Sequence, residues 1–290
     1  MSGGYKFTER SELNTAVDLW ISDEAAASHF YGDINTWDVS EITNFQSLFL
    51  NKKTFNSDIS NWDVSSGIAF NGMFQGAIRF NQDIGGWDVS NGIEFWNMFN
   101  QAERFNRNIG DWDVSNGESF NSMFEYAYSF NQDIGGWDVG NGEDFSYMFG
   151  DAYRFNQDIS DWDVSSAYRF DEMFRDARAF NQNLTSWVYY GHSNRNMFRG
   201  TSMGVRSTPG WNYFKGVKIV AWYFSSDING SDYNNVIIDN DLGNNIYGNG
   251  GADVLMGNGG NDVIYGGTRR DKLDGGLGED ILIGGGGDDK

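Results

Sequence analysis

Apolar positions between residues 30 and 198 return at a step of 25, and the register does not slip. Tryptophan stands at Trp37, Trp62, Trp87, Trp112, Trp137, Trp162 and Trp187, and phenylalanine at Phe30, Phe55, Phe80, Phe105, Phe130, Phe155 and Phe180. An aliphatic residue keeps the same step from Ile34 through Ile59, Ile84, Ile109, Ile134 and Ile159 to Leu184. Within one period the pattern changes character. Phe95, Met98, Phe99 and Ala102 fall at i, i+3, i+4 and i+7, which predicts about two turns of amphipathic helix. Trp87-Asp88-Val89-Ser90 alternates apolar and polar, which predicts a short strand with Trp87 and Val89 inside. Neither element could bury its apolar side alone. Successive coils are therefore expected to stack, with strands in parallel and helices side by side. Seven coils at a strand spacing of about 4.8 Å make a solenoid about 30 Å long.

The phrases that carry this period are FNQDI (Phe80 to Ile84), WDVS (Trp87 to Ser90) and MF-x-x-A (Met98 to Ala102). Together they resemble the BspA-like surface-protein repeat, a variant of the leucine-rich repeat common in secreted and surface proteins of bacteria and some protists. The resemblance covers residues 7 to 198. It implies an α/β leucine-rich-repeat-like solenoid, one short parallel strand and one short helix per 25 residues, used in adhesion or protein recognition. Residues 1–29 are similar to that family's N-terminal cap, and their own pattern agrees: Leu13, Ala16, Val17 and Trp20 form a helical stripe suited to covering the first coil. One departure stands out. Where the family continues with an aliphatic residue and then methionine, this chain places Gly67, Gly92, Gly117 and Gly142, followed by Phe70, Phe95, Phe120 and Phe145. Volume exchange, a larger ring filling the space of a missing side chain, would reconcile the two.

After residue 230 a second period replaces the first. Asp253, Asp262, Asp271, Asp280 and Asp289 recur every nine residues, and the first four are followed two places later by Leu255, Ile264, Leu273 or Leu282. Glycine is concentrated here, 17 of 38 lying between Gly230 and Lys290. The pattern matches G-G-x-G-x-D-x-U-x, the nonapeptide of the RTX family, which implies a parallel β-roll wound around calcium. Calcium takes oxygen ligands, carboxylates and backbone carbonyls, and glycine lets the backbone turn tightly enough to aim those carbonyls. The implied metal residues are Asp253, Asp262, Asp271 and Asp280 with the loop glycines Gly251, Gly260 and Gly278. Two nonapeptides make one turn of that fold, so Asp253 and Asp271 are expected on one side and Asp262 and Asp280 on the other. Asn235 and Asn244 stand at the aspartate place in weaker lead-in units. Arg269 replaces a loop glycine and Arg270 adds charge beside Asp271, a defect expected to weaken that site. Calcium-dependent ordering of residues 230–290 follows as an expectation. The last unit stops at GGGGDDK, whereas RTX proteins usually continue to a C-terminal secretion signal, so the resemblance implies a piece of a longer chain exported by type I secretion. Residues 203–229, with the lone Pro209, fit neither period and are expected to cap the last coil of the 30–202 solenoid and join it to the 230–290 roll.

Charge narrows the partners. Asp and Glu outnumber Lys and Arg by 41 to 20, a net charge of -21, which argues against nucleic acid and anionic membranes. The longest apolar run, residues 219–224, is far shorter than the roughly 20 residues of a spanning helix, so membrane insertion is not expected. There is no cysteine, and the two histidines, His29 and His192, stand without a nucleophile motif or a phosphate loop. No enzymatic activity is expected.

Two faces remain as candidate binding surfaces. The aspartates of the strand phrase, among them Asp88, Asp113 and Asp138, form a ladder in which like charges about 5 Å apart repel. Either each carboxylate is held by backbone N–H groups of the following turn, or the ladder is a line of cation or partner sites. On the helical side the coils differ most, at Trp96, Arg104, Tyr126, Tyr128, Tyr153 and Arg154, residue types enriched at binding hot spots. A secreted or surface-attached module that binds an extracellular protein or glycan is the reading these features favour. A structural spacer of a large adhesin and an ice-binding face are the alternatives, the latter without a threonine ladder.

Overall fold

The computed structural model describes residues 4–182, 184, 187–189, 197–201, 218–220, 228–230, 232, 234–239 and 241–290. Helix α1, Arg10–Ser22, buries Leu13, Ala16, Val17 and Trp20, the stripe expected of the cap. Asp23 then ends α1 and starts α2, Glu24–Tyr31, its carboxylate accepting the Ala26 N–H at 3.0 Å. Trp20 meets Trp37 edge to face at 5.8 Å, so α1 lies over the first coil. A short 3-10 turn, Ile34–Thr36, leads into the repeats. Phe30 does not join the phenylalanine column: it sits in the last turn of α2 and is 64% exposed.

Beyond that turn no described residue is helical. The segment expected to be a helix buries its apolar set, with Phe95, Met98, Phe99 and Ala102 all fully covered, but by another geometry. Alternate N–H groups close turns within the coil: Met98 to the Phe95 carbonyl at 3.1 Å and Ala102 to Phe99 at 3.0 Å. The N–H groups between them cross to the next coil: Phe95 to Ser119, Asn97 to Asn121, Phe99 to Met123 and Gln101 to Glu125, at 2.8–3.1 Å. Every fourth residue adopts positive φ, as at Asn97 (57°) and Gln101 (58°), Ser122 (52°) and Tyr126 (59°), Tyr147 (58°) and Asp151 (57°). A left-handed residue cannot sit inside an α-helix, and its cost of roughly 1–2 kcal/mol is offset by the cross-coil bonds and burial. Linked turns of four residues give the same i, i+3, i+4, i+7 spacing as a helix, which is why the pattern misled.

The strand phrase also keeps its alternation but not its ladder. Trp87 and Val89 are buried and Asp88 is exposed, yet the parallel bridges form five residues beyond Val89, where Ala69, Glu94, Ser119, Asp144 and Arg169 pair in succession. Parallel stacking of coils is thus present with little regular strand.

The interior is a set of aromatic columns. Phe74 stacks on Phe99 at 5.5 Å, Phe99 on Phe124 at 5.5 Å and Phe124 on Phe149 at 5.7 Å, and each lies closer still to the phenylalanine six places on, such as Phe124 to Phe130 at 4.0 Å. Such pairs contribute about 0.5–1.5 kcal/mol each beyond area burial. Each tryptophan adds a tether: Trp112 Nε1 donates to the Ile84 carbonyl at 3.0 Å and Trp137 Nε1 to Ile109 at 3.0 Å, 28 residues back in both cases. The glycine departure has a direct cause. A Cβ on Gly67, Gly92, Gly117 or Gly142 would overlap the ring of Phe70, Phe95, Phe120 or Phe145. The ring occupies the place of the missing side chain, although Ile42 beside Phe45 and Ala167 beside Phe170 are buried without a glycine.

FNQ is a hydrogen-bonding phrase. Asn81, Asn106, Asn131 and Asn156 each offer Oδ1 to the backbone N–H of the asparagine one coil on, at 2.8–3.0 Å. The following glutamines, Gln132, Gln157 and Gln182, reach back to the same asparagines.

The C-terminal part is a parallel roll. Strand β1 (Val188–Tyr189), β2 (Lys218–Val220), β4 (Val236–Ile238), β6 (Val254–Met256) and β8 (Lys272–Asp274) form one sheet in that order. Strands β3 (Ile228–Asn229), β5 (Asn245–Tyr247), β7 (Val263–Thr268) and β9 (Ile281–Gly286) form the other. Val236 pairs with Val254 and Val254 with Lys272, while Ile246 pairs with Ile264 and Ile264 with Leu282, an offset of 18 residues or two nonapeptides. Ile237, Leu255, Ile246 and Ile264 fill the space between the sheets. Most of the expected 203–229 cap and linker, with Pro209, and also His192 lie outside the described residues.

Candidate functional site

In the roll, the aspartates fall on two sides as the nonapeptide count requires: Asp253 and Asp271 precede β6 and β8 of one sheet, Asp262 and Asp280 precede β7 and β9 of the other. Asn235 precedes β4 in the same register. Each carboxylate is used once by the backbone. Asp253 Oδ1 accepts the Asn235 N–H at 2.6 Å, Asp262 that of Asn244 at 2.8 Å, Asp271 that of Asp253 at 2.8 Å and Asp280 that of Asp262 at 2.9 Å. The second oxygen has no such duty. Oδ2 of Asp253, Asp262 and Asp271 is buried without a hydrogen-bond partner.

These orphan oxygens face glycine backbone. A Cβ on Gly248 would overlap Asp253 Oδ2 and the Gly266 carbonyl oxygen together; on Gly257, Asp262 Oδ2 and the Gly275 carbonyl; on Gly266, Asp271 Oδ2 and the Gly284 carbonyl. A carboxylate oxygen of one coil and a carbonyl oxygen of the next thus converge where side chains are excluded. Hard oxygen donors of this kind suit calcium, and an uncompensated buried carboxylate needs a cation or a proton. Burial accordingly pushes Asp253 up to about 8, with the Asp271 carboxylate one coil on adding to the rise. Asp262 is raised by burial and then by Asp280, and Asp271 by burial and then by Asp289. The residues fit the cation: Asp253, Asp262 and Asp271 would hold it with the carbonyls of Gly266, Gly275 and Gly284, and calcium would supply the positive charge that neutralises the stacked carboxylates. Among the described residues no group of three or more His, Cys, Asp or Glu side chains converges, so carbonyls must complete any such site.

The loop glycines named from sequence adopt conformations that a side chain would not allow. Gly251, Gly260 and Gly278 hold φ of 104°, 99° and 140°, and a Cβ on Gly278 would overlap the Gly260 carbonyl one coil before. Beside the orphan oxygens stands also the glycine five places before each aspartate, a signal present in the first G of the nonapeptide but not singled out. Arg269 takes the left-handed place at φ 82° without breaking the coil, and β8 follows it.

The Asp88 ladder is resolved by its own turns. Asp88 Oδ1 accepts the Ser90 N–H at 3.0 Å and the Ser90 hydroxyl at 2.7 Å, and Asp113 does the same with Ser115 at 3.0 and 2.6 Å. Asp138, lacking the serine, accepts the Gly140 N–H alone at 3.1 Å. The Ser90 and Ser115 bonds, side chain first and backbone second, hold Asp88 and Asp113 below the usual carboxylate range.

Of the aromatic and cationic set, the structure brings some together. Tyr128 stacks on Tyr153 at 4.8 Å, Tyr126 meets Tyr128 edge to face at 6.3 Å, and the Arg178 guanidinium lies 4.4 Å over Tyr153. Among the described residues no ring contact or ion pair joins Trp96, Arg104 or Arg154 to that stack. Beside it lies an ion cluster: Arg175 reaches Asp151 at 2.6 Å, Glu172 at 2.7 Å and Glu125 at 3.1 Å, across three coils. Burial opposes the Arg175 charge, yet the bonds to Asp151 and Glu172 outweigh it and raise its pKa. Glu125, the farthest of the three, is still pushed up by burial despite that contact.

A stack of 25-residue coils followed by a parallel roll whose buried carboxylates face glycine carbonyls defines a two-part repeat protein of the calcium-binding class. The chain belongs to the family described as Mycoplasma protein of unknown function, DUF285, which matches residues 20–134 and again 108–211, most of its length. Residues 229–264 and 256–290 match the RTX calcium-binding nonapeptide repeat. No curated protein and no solved structure matches the chain. Among the described residues no helix is long and apolar enough to cross a membrane.

Proposed function

We propose that the chain is a non-enzymatic binding module, carried to the cell surface or beyond it by type I secretion. In this reading its 25-residue coils, of the BspA-like leucine-rich-repeat kind, recognise an extracellular protein or glycan. The nonapeptide segment orders around calcium outside the cell, where the ion is abundant. The single observation behind the reading is the set of orphan Oδ2 atoms of Asp253, Asp262 and Asp271 in glycine cradles, within a segment that matches calcium-binding repeats. The aromatic stack of Tyr128 and Tyr153 is the first candidate contact surface.

The test exposes the full chain to arrays of matrix proteins and glycans, with calcium and with chelator, while circular dichroism follows the roll. Binding of a defined ligand together with a calcium-induced gain of strand signal supports the module. Silence on every array would favour a passive spacer, a role that the internally bonded asparagine ladder would also serve. Circular dichroism unchanged by calcium would remove calcium-dependent folding from the account.

A further inference from the structure

A groove of about 630 Å³ runs along the coils between two parallel rows of side chains. Asn91, Asn116 and Asn141 form the middle of one row. Each amide Nδ2 is pinned to a carbonyl of the coil before, at 2.8 Å to Ser65, 2.8 Å to Ser90 and 2.7 Å to Ser115. Ile68, Ile93, Glu118 and Glu143 form the other, on a backbone ladder from Ile93 N–H to the Ile68 carbonyl at 2.9 Å, Glu118 to Ile93 at 3.0 Å and Glu143 to Glu118 at 2.8 Å. Between the rows the floor is Gly67, Gly92, Gly117 and Gly142, whose missing Cβ would point inward at a phenylalanine ring, and in the fifth coil the buried Ala167, so no side chain rises from it. The asparagine wall and the backbone of the other wall are therefore fixed before any ligand arrives, which lowers the ordering cost of binding.

The two ends of the groove differ in chemistry. Ile68, 45% exposed, and Ile93 make one end apolar. Glu118 and Glu143 are exposed at the other end, and no described cation pairs with either. From Ser66 to Ser166 the groove crosses five coils, about 20 Å at roughly 4.8 Å per step, the span of about six residues of extended chain. We infer that this groove binds an extended peptide segment of a partner protein, with aliphatic side chains against Ile68 and Ile93 and lysine or arginine against Glu118 and Glu143. A neutral glycan would leave the carboxylates unpaired, and an acidic peptide would be repelled. The inference rests on the reading of the chain as a binding module and assigns its surface to a different face from the tyrosine stack.

The experiment selects a random octapeptide library on the full chain with calcium present, then measures synthesised winners by fluorescence polarisation. Expected are sequences that combine aliphatic residues with Lys or Arg, with affinity that falls as salt rises. Glu118→Gln with Glu143→Gln should weaken binding at least tenfold, and so should Ile68→Ser with Ile93→Ser, while the same loss of charge elsewhere, Asp111→Asn with Asp161→Asn, leaves it unchanged. All six side chains are at least partly exposed, and circular dichroism checks each fold. Selection of acidic peptides, no enrichment, or binding retained in both groove variants overturns the assignment. A ligand found on the arrays that ignores the groove variants sinks the groove and leaves the module standing; no ligand by either route sinks both.

Discussion

The buried aspartates of the roll predict a specific linkage between protons and calcium. Asp253 is 1% exposed and its carboxyl is pushed up to about 8 from 3.8. Between those values the folded roll without a cation holds a proton that the unfolded chain has released. Stability of the cation-free roll is therefore greatest near pH 4, falls as pH rises, and has lost this contribution by pH 8. Each pH unit in the window is worth about 1.4 kcal/mol, a ceiling of roughly 6 kcal/mol for Asp253, and water entering a roll without its cation brings it to about half. Asp262 and Asp271 are raised as well and act in the same direction. Calcium replaces that proton, so at pH 6 to 7 its binding should release up to one proton from Asp253, and affinity should climb with pH. Calorimetry in two buffers of different ionisation enthalpy reads the protons. Amide exchange of residues 245–283 with chelator, corrected for intrinsic rates, reads stability at pH 5 and pH 8. Asp253→Asn keeps the acceptor for the Asn235 N–H and should flatten part of the pH dependence. A chelated roll as stable at pH 8 as at pH 5, or calcium binding without proton release, would refute the reasoning.

Four further outcomes follow from particular contacts. Gly257→Ala puts a Cβ onto Asp262 Oδ2 and the Gly275 carbonyl, and calcium titration should lose a site without any change of charge. Arg269→Gly removes a left-handed side chain, worth about 1–2 kcal/mol less the entropy cost of glycine, and should raise the melting temperature of the calcium form by a few degrees. Asn106→Ala strands the Asn131 N–H and should cost about 1–3 kcal/mol in urea unfolding. Arg175→Met leaves three largely buried carboxylates together without their cation and should cost about 3 kcal/mol at pH 7; since burial already raises Glu125, the loss should shrink as pH falls, and an unchanged loss counts against the cluster.

How far the chain could be read from its sequence depends on which physical rule each residue obeys. Burial follows from side-chain chemistry alone, so Trp87, Val89, Phe95 and Phe99 were legible as core, as was the α1 stripe of Leu13, Ala16, Val17 and Trp20. Secondary structure depends also on where the N–H groups go. Alternate bonds from Phe95 and Asn97 to the neighbouring coil are invisible in a one-dimensional pattern, so linked turns passed for a helix. In the roll the nonapeptide count placed the aspartates on their two sides correctly. Position within the nonapeptide did not reveal that Gly248 and Gly257 flank the orphan oxygens. The groove was missed for a related reason: Asn91, Asn116 and Asn141 are separated from Ile93, Glu118 and Glu143 by a single residue, and only the inward turn of Gly92 and its equivalents makes a channel between them.

The chain carries two aspartate ladders, and their carboxylates move in opposite directions. Asp88 and Asp113 are lowered, whereas Asp253, Asp262 and Asp271 are raised. Burial comes first in raising the second set, and the residue two places on goes with it. In Asp-Val-Ser, the hydroxyl and N–H of Ser90 or Ser115 stand ready to bond the carboxylate of their own exposed turn, so the negative charge is satisfied locally. In Asp-Val-Leu and Asp-Val-Ile the same place holds Leu255 or Ile264, which turns inward between the sheets and offers no hydroxyl. The carboxylate is drawn in beside it, spends one oxygen on the neighbouring coil and keeps the other unpaired against glycine. Exposure in its own turn, as at Asp138 even without a serine, marks an aspartate that shapes a turn, and burial with one unpaired oxygen marks one that needs a cation. Burial together with local hydrogen-bond supply, and not acidity of the chain as a whole, therefore selects which of its many carboxylates are candidates for calcium.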